Sequence, residues 1–262
     1  MKEVLAAPSA AIQELFDELE YEPEPVALPE PVGTLTVRTV DEIPIELLSL
    51  LEDAKAEISG RRVWPGSVLL CLGMVQPRFA DTFKGASVLE LGAGTGLSSM
   101  VAVRLGGRLV VCTDGDQSSV DLSQQNLSDN GIVCGDGSVP LVLSKRLLWG
   151  QTQATAFRKE IEGSAACPEG GYDVILAADV MYKDELIHIL FESVKVLMAS
   201  EGTCLLCHLV RAGVSQELVV AAAVGAGLEV EDLPLPAEHL PHGHCSKAEA
   251  DGARLYILSH AQ

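Results

Sequence analysis

The chain has 262 residues, of which 48% are hydrophobic, which is enough for one large α/β domain with a buried core. Its formal net charge of −19 argues against nucleic acid as the main partner, because binding phosphates requires a basic face. No apolar run reaches the roughly 18 residues that a membrane span needs. The acidic surface fits either a basic protein partner or plain solubility.

The N-terminal third predicts elements outside the main domain. Residues 1–31 predict an acidic helix, capped by Ser9, followed by a linker whose repeated prolines exclude a helix. Residues 32–86 predict an accessory segment that packs on the core. In this segment, 33–40 alternates like a half-buried strand, 44–58 has helical spacing, and Pro65 begins a second helical run.

From residue 87 to 262 we expect the main domain, because short apolar runs alternate with helical stretches, as in βαβ units. The predicted strands are 87–91, 108–113, 139–143, 172–178, 202–209, 228–234 and 253–260. The predicted helices are 96–105, 116–130, 183–199 and 214–226, and 151–171 is expected to be a loop.

The last two strands have no helix predicted between them, so we expect an antiparallel hairpin at the sheet edge. The fold class is therefore α/β: a Rossmann-like, seven-stranded, mostly parallel sheet with an antiparallel C-terminal strand and helices on both faces.

The segment "VLELGAGTGLSS" (88–99) is a strand, a glycine turn and a helix start. Its glycines let the backbone approach a ligand and leave helix N–H groups pointing at it. The dinucleotide fingerprint requires a third glycine where this chain has Leu97. The pattern here is E-x-G-x-G-x-G, starting at Glu90, which is the turn of S-adenosylmethionine-binding folds.

Asp114 ends the second strand of the main domain, where an acidic side chain can accept hydrogen bonds from both ribose hydroxyls. Asp116 is the alternative, although it could simply cap the next helix. We expect Asp114 to be the ribose ligand.

Four segments together resemble the seven-strand protein lysine methyltransferases of the methyltransferase-like type, over residues 62–260. They are "RVWPGSVLL", "VLELGAGTGLSS", "LLWG" and "AADVMY", the last with the D-x-x-Y pattern that marks this group. Relatives often have a polar residue at the position of Leu148. The resemblance implies S-adenosylmethionine as cofactor and a lysine side chain of a non-histone protein as methyl acceptor.

The resemblance also implies the site residues. Asp179 would orient the target amine and Tyr182 would shape the lysine channel. The implied cofactor-binding residues are Trp64, Glu90, Gly92, Ala93, Gly94, Thr95, Gly96, Asp114, Gly115, Trp149 and Ala178. On spacing alone, Asp179 could instead cap the following helix, Tyr182 could pack in its first turn, and both tryptophans could be core residues.

Two further function classes stay open from the sequence: a methyltransferase acting on arginine, histidine or a small molecule, and a catalytically silent protein that binds a partner through this fold. We expect a protein substrate, basic in character, with no nucleic acid and no membrane, and a monomeric enzyme. Seven cysteines without a secretory signal predict reduced thiols and a cytoplasmic protein, with the nucleus as a second location.

Two cysteine- or histidine-containing segments are weaker candidates. "HLPHGHC" (239–245) gathers metal-ligating residue types, but nothing else in the sequence indicates a metal, so none is predicted. "CLLC" (204–207) has redox spacing, yet it lies in a buried strand where cysteine acts as a small apolar residue. Arg211, just after that strand, is expected to pair with a surface acid.

Overall fold

The computed structural model describes residues 20–40, 59–133, 140–210, 213–233, 235 and 245–261. The strands are β1 (Glu22–Ala27), β2 (Thr34–Thr39), β3 (Ser87–Leu91), β4 (Leu109–Asp114), β5 (Leu141–Arg146), β6 (Tyr172–Ala178), β7 (Met198–Leu209), β8 (Leu228–Leu233) and β9 (Ala253–His260). The helices are α1 (Pro65–Met74), α2 (Leu97–Arg104), α3 (Gln117–Asp129), α4 (Gln151–Glu160), α5 (Asp184–Leu197), α6 (Gln216–Gly225) and α7 (Lys247–Gly252). The predicted helices before residue 20 and at 44–58, Arg211 and the 239–244 part of the histidine-containing loop lie outside the described residues.

Seven strands form one sheet in the order β5-β4-β3-β6-β7-β9-β8. Strands β3 to β7 pair in parallel, and β9 runs antiparallel to both of its neighbours. This confirms the predicted fold class. From β3 the chain first builds outward through β4 and β5, and then returns to place β6 on the other side of β3. Ligands of open α/β sheets bind at such a switch point, beyond the carboxyl ends of the strands.

Both faces of the sheet are covered, as predicted. One apolar cluster joins the hairpin β1–β2 with α1 and α2, and includes Val37, Leu70 and Met100. The other joins α4, α5 and α6, and includes Phe157 and Leu190. Alternate residues of each central strand enter opposite clusters, because successive side chains of a strand point to opposite faces.

The proline-rich stretch is extended, as predicted, but it is a paired strand and not a free linker. Strands β1 and β2 form a two-stranded antiparallel sheet in which Pro25 lies opposite Thr36 and Pro23 lies opposite Arg38. Proline lacks an N–H, so it fits a strand edge where no partner needs one. The predicted boundary between 31 and 32 falls inside this hairpin.

The prediction of a loop over 151–171 was wrong, because α4 occupies its first ten residues. Ala154, Phe157 and Ile161 share one face and are buried, while the remaining residues of the helix are mostly polar, so the apolar signal was short. A second unpredicted helix, α7, lies between β8 and β9, where Ser246 and Glu249 form a capping box. The two strands nevertheless pair antiparallel.

Candidate active site

The glycine turn after β3 has a left-handed backbone at each of its three glycines. The φ angles are 70° at Gly92, 51° at Gly94 and 80° at Gly96. A Cβ on Gly94 would lie 2.8 Å from the carbonyl oxygen of Gly60, and a Cβ on Gly92 would lie 2.7 Å from Val180 Cγ1. Both the conformation and the close approach of other chain segments therefore require glycine here.

The side chain of Glu90 connects β3 to the first turn of α2, on either side of the glycine turn. Its carboxylate is buried and accepts hydrogen bonds from the N–H (2.9 Å) and the hydroxyl (2.5 Å) of Ser99, in the first turn of α2. Gly96, the residue before the helix, has no side chain to cap it, so Glu90 supplies the missing acceptor. Burial raises the pKa of Glu90 to about 7. The direct role of Glu90 in cofactor binding stays a prediction.

Asp114 lies at the carboxyl end of β4 and faces the same turn. One carboxylate oxygen accepts from Gly94 N at 2.9 Å and the other from Asp116 N at 3.0 Å. Desolvation raises the pKa of Asp114 above its ordinary value, against the effect of these N–H groups. A carboxylate offers about four acceptor positions, so Asp114 retains acceptor capacity for a ligand.

Asp116, the alternative ribose ligand, occupies the residue before α3 and is engaged elsewhere. Its carboxylate accepts from the hydroxyls of Ser118 and Ser119, and Ser118 in turn accepts from the buried Arg61 guanidinium at 2.8 Å. This arrangement favours Asp114 over Asp116 as the acceptor that faces the turn.

Trp149 follows β5 and closes one side of the turn. A Cβ on Gly92 would lie 3.0 Å from Trp149 Cζ2, so the indole ring packs directly on the glycine backbone. Leu148, 38% exposed, lies against Gly115 in the same way. A cavity of about 520 Å³ opens beside them, lined by Gln117, Leu147 and Leu148 among others. Trp149 and Leu148 therefore provide apolar surface against the glycine turn and against Gly115, the residue after Asp114.

Asp179 follows β6 and has the one left-handed backbone (φ 57°) at a residue other than glycine in the described part of the chain. Its N–H donates to Cys207 O, which continues the pairing of β6 with β7. Its Oδ2 accepts from the N–H of Gly66 at 3.0 Å, in the first turn of α1. A non-glycine residue in this conformation costs about 1–2 kcal/mol, and such strain concentrates at functional sites.

Gly66 leaves the space that Asp179 occupies. A Cβ on Gly66 would lie 2.9 Å from both Cβ and Cγ of Asp179. Gly66 was not among the predicted site residues. The signal in the sequence was a glycine at the second position of an otherwise apolar helix, where a stronger helix former would be expected.

Two aromatic residues lie close to this contact in the chain, Trp64 two residues before Gly66 and Tyr182 three residues after Asp179. The Trp64 indole N–H donates to Ser59 O at 2.6 Å, and Arg62 lies over its ring. Tyr182 is half-buried, and the Lys183 ammonium lies 5.2 Å from the centre of its ring. Lys183, and not Asp179, occupies the capping position of α5, so the alternative in which Asp179 caps the following helix is wrong.

The structure thus brings two groups of the predicted residues to one edge of the sheet. The first is the glycine turn with Glu90, Asp114, Gly115 and Trp149, and the second is Asp179 at the end of β6 with Ala178 before it and Tyr182 after it. Gly92 and Val180 join the groups, because a Cβ on Gly92 would lie 2.7 Å from the Val180 side chain. Trp64 reaches the second group through Gly66.

The cysteines of the CLLC segment do not form a redox pair. Cys204 and Cys207 enter opposite apolar clusters of the sheet, so they cannot pair with each other. Burial raises the pKa of the Cys204 thiol to about 12, which favours the inert thiol that the sequence predicted. Among the described residues, no three His, Cys, Asp or Glu side chains are placed to hold a metal ion. No described helix has the length and apolar character of a membrane span.

Comparison with solved structures defines the class of protein. SMU.776, named as a methyltransferase and solved in complex with SAH, superposes with a TM-score of 0.52 at 12% identity, covering 91% of this chain and 57% of that one. The CurJ carbon methyltransferase gives a TM-score of 0.50 at 16% identity, covering 85% of this chain and 62% of that one. At these identities the likeness shows the fold alone: this is a methyltransferase fold.

The family follows from the sequence of the whole core. A family model described as lysine methyltransferase matches residues 44–221, more than half of the chain. The chain therefore belongs to the lysine methyltransferase family.

Several curated proteins are similar to this chain. Protein N-lysine methyltransferase METTL21A of Danio rerio is 31% identical over 149 residues, 57% of this chain and 60% of that protein. Methyltransferase-like protein 22 of Mus musculus is 35% identical over 143 residues, 53% of this chain and 35% of that protein. The Neurospora crassa protein N-terminal and lysine N-methyltransferase efm7 is 26% identical over 165 residues, 62% of this chain and 54% of that protein. The matched region thus spans between about a third and three fifths of these relatives.

Proposed function

We propose that this protein is an S-adenosylmethionine-dependent methyltransferase that acts on a lysine side chain of a protein substrate. The observation that carries the proposal is the joint geometry of the two groups at the sheet edge: a glycine turn facing Asp114, and next to it a strained Asp179 held on the N-terminus of α1. The membership of the lysine methyltransferase family and the names of the similar METTL21A and efm7 proteins support it.

The residues present fit the proposed cofactor. Asp114 presents a carboxylate with acceptor capacity beyond its two backbone donors, which suits a ribose diol. The left-handed φ angles require glycine at 92, 94 and 96, so no Cβ projects from the turn at these positions. Trp149 and Leu148 supply apolar surface for a base. The bound cofactor would supply a methyl group on a positively charged sulfur; no metal is required for this chemistry.

The acceptor must be a neutral amine. Because the ordinary lysine pKa is about 10.4, removing the proton at pH 7 costs about 4–5 kcal/mol. Partial burial of the amine and a nearby positive charge both lower that pKa. A carboxylate raises it, so Asp179 is better suited to align the amine than to act as a strong base.

The structure around Asp179 suits alignment. The Gly66 N–H fixes one carboxylate oxygen at the N-terminus of α1, and the left-handed backbone sets the direction in which the side chain leaves β6. In this proposal the same carboxylate, which offers about four acceptor positions, also accepts a hydrogen bond from the substrate amine. Half-buried Tyr182, three residues further along the chain, forms a wall of the lysine channel. Holding a reactant in one orientation lowers the barrier of an in-line transfer.

The proposal is tested with a lysate from cells that lack the enzyme, fractionated by isoelectric point. Each fraction is incubated with methyl-labelled cofactor and either the protein or its Asp179→Ala variant. We expect a labelled protein with one or more methyl groups on a lysine, and loss of the label with the variant. Peptide mass spectrometry locates the modified residue.

Three outcomes would count against the proposal. Methyl groups on arginine, histidine or a small molecule would show the same chemistry on another acceptor. A stable partner without methyl transfer would indicate a catalytically silent binding protein. Absence of cofactor binding by calorimetry would exclude the methyltransferase activity altogether.

A further inference from the structure

Two asparagine side chains, Asn126 in α3 and Asn130 directly after its last residue, form hydrogen bonds with the backbone of β2. Asn126 Oδ1 accepts from Arg38 N at 2.7 Å and its Nδ2 donates to Arg38 O at 3.3 Å. Asn130, one helical turn later, pairs in the same way with Thr36 N (3.0 Å) and Thr36 O (2.6 Å). A carboxamide carries one acceptor and two donors, so it can pair with a strand edge as a peptide group does.

The hairpin is arranged to receive these side chains. Thr36 and Arg38 lie opposite Pro25 and Pro23 in β1. Proline has no N–H to give, so the backbone groups of Thr36 and Arg38 point away from β1 and toward α3. The intervening Leu35 and Val37 are fully buried in the core.

Asn126 and Asn130 differ in where the second Nδ2 hydrogen is donated. Asn130 donates it to the backbone carbonyl of Asn126 at 2.8 Å, whereas Asn126 donates it to Thr95 O at 2.9 Å, and the Asn126 side chain is fully buried. Thr95 stands between Gly94 and Gly96 in the glycine turn. The single Asn126 carboxamide therefore joins the hairpin to the turn and uses both of its N–H donors and its oxygen in doing so.

A second connection runs along the chain after the hairpin. Val40 N donates to Arg61 O at 2.9 Å, and the Thr39 hydroxyl accepts from Val63 N at 3.2 Å. Gly60, the residue before Arg61, brings its carbonyl close to Gly94 of the turn. The end of β2 thus places the segment 59–63 over the turn from the other side.

We propose that Asn126 is a positioning residue for cofactor binding, and that through it docking of the N-terminal hairpin and binding of the cofactor strengthen each other. This rests on the proposed function, because the glycine turn is taken to hold the cofactor. By linkage, a coupling of this kind acts in both directions: whatever loosens the hairpin weakens cofactor binding, and the cofactor protects the hairpin.

The test compares two asparagine variants by calorimetry with S-adenosylhomocysteine. Asn126→Asp keeps the shape but places a carboxylate oxygen against two carbonyl oxygens, and we expect a dissociation constant raised at least about tenfold. Asn130→Asp is the matched control, since it likewise places a carboxylate oxygen against two carbonyl oxygens, those of Thr36 and Asn126, but removes no hydrogen bond to the turn; its dissociation constant should rise less than about threefold. Equal affinity of Asn126→Asp and the wild type would overturn the inference.

A measurement on the unmodified protein guards against a variant that fails to fold. Hydrogen exchange at the amides of Thr36 and Arg38 should slow when S-adenosylhomocysteine is added. Protection of the glycine turn without any change at these two amides would overturn the coupling and leave the proposed function intact. A wild-type protein that binds no S-adenosylhomocysteine would instead overturn the proposed function, and this inference with it.

Discussion

The glycine turn after β3 and the Asp179 turn after β6 lie side by side at one edge of the sheet, and both use left-handed backbone. In the first, all three left-handed positions are glycines, for which this conformation carries no steric cost. In the second, the position is an aspartate. Glycine would carry no steric cost at this position, whereas aspartate supplies the carboxylate that accepts from Gly66 N.

The two turns also share a device. Each is held by a carboxylate that accepts an N–H from the first turn of a helix: Glu90 from Ser99 in α2, and Asp179 from Gly66 in α1. Glu90 is 3% exposed, whereas Asp179 is only half-buried. The same capping contact is thus closed to solvent at Glu90, where it stabilises the turn, and partly exposed at Asp179, where the proposed substrate would approach.

The largest effect should come from removing the open carboxylate. For Asp179→Ala we expect methyl transfer to fall by about 10²-fold or more, because the amine loses its alignment, with an unchanged cofactor dissociation constant. Transfer kinetics and calorimetry measure the two quantities. Asp184→Ala, in the exposed first turn of α5, is the control. A parallel loss of cofactor affinity would mean that Asp179 also contributes to cofactor binding, and that the two turns do not have separate roles.

Gly94→Ala should damage the cofactor turn and the fold together. The new Cβ meets the Gly60 carbonyl at 2.8 Å on a left-handed backbone, and we expect a loss of about 3–4 kcal/mol in the free energy of unfolding. Urea denaturation measures it. Gly85→Ala has a similar φ of 71° but nothing within 4 Å of the Cβ, so it should cost only the backbone strain. Equal losses in the two variants would show that the contact with Gly60 is unimportant.

The buried carboxylate predicts a pH dependence of stability. The pKa of Glu90 is about 7 in the folded protein against an ordinary 4.5, so the folded state binds this proton more tightly. The stabilisation is complete below about pH 4.5 and is lost as the pH rises to about 7.

The isosteric variant Glu90→Gln cannot ionise and isolates this effect. Between pH 5 and 8 the wild type should lose about 2–3 kcal/mol more of its unfolding free energy than Glu90→Gln, as shown by denaturation at each pH. Glu229→Gln, on the exposed surface of β8, should behave like the wild type. A pH profile shared by all three proteins would contradict the buried state of Glu90.

The smallest effect tests the strain at Asp179 itself. Asp179→Gly and Asp179→Ala both lose the carboxylate, but only glycine accepts the φ of 57° without steric cost. We expect the glycine variant to be more stable than the alanine variant by about 1 kcal/mol. Urea denaturation of the two variants gives the difference directly. An alanine variant of equal stability would mean that the backbone at 179 relaxes.

Much of the site could be predicted from the sequence because it depends on neighbours along the chain. The spacing of Gly92, Gly94 and Gly96 excluded the dinucleotide turn, and Asp114 follows from its place at the end of the next strand. The sequence analysis did not predict three contacts: that of Gly66 with Asp179, that of Glu90 with Ser99, and that of Asn126 with the glycine turn. Gly66 and Asn126 act on residues far away in the chain, 113 residues in the case of Gly66 and Asp179. Ser99 lies only nine residues from Glu90, but their contact depends on how the turn folds the start of α2 back onto β3.

The sequence by itself determined the alternation of strands and helices, the positions of the tight turns and the polar residues at the strand ends, since periodicity and glycine spacing are local properties. Only the tertiary structure decided the pairing of the proline-rich strand with β2, the helix α4 in a mostly polar segment, and the docking of Asp179 on α1. These depend on which surfaces meet after the sheet closes, and burial and long-range hydrogen bonds leave no periodic mark in the chain.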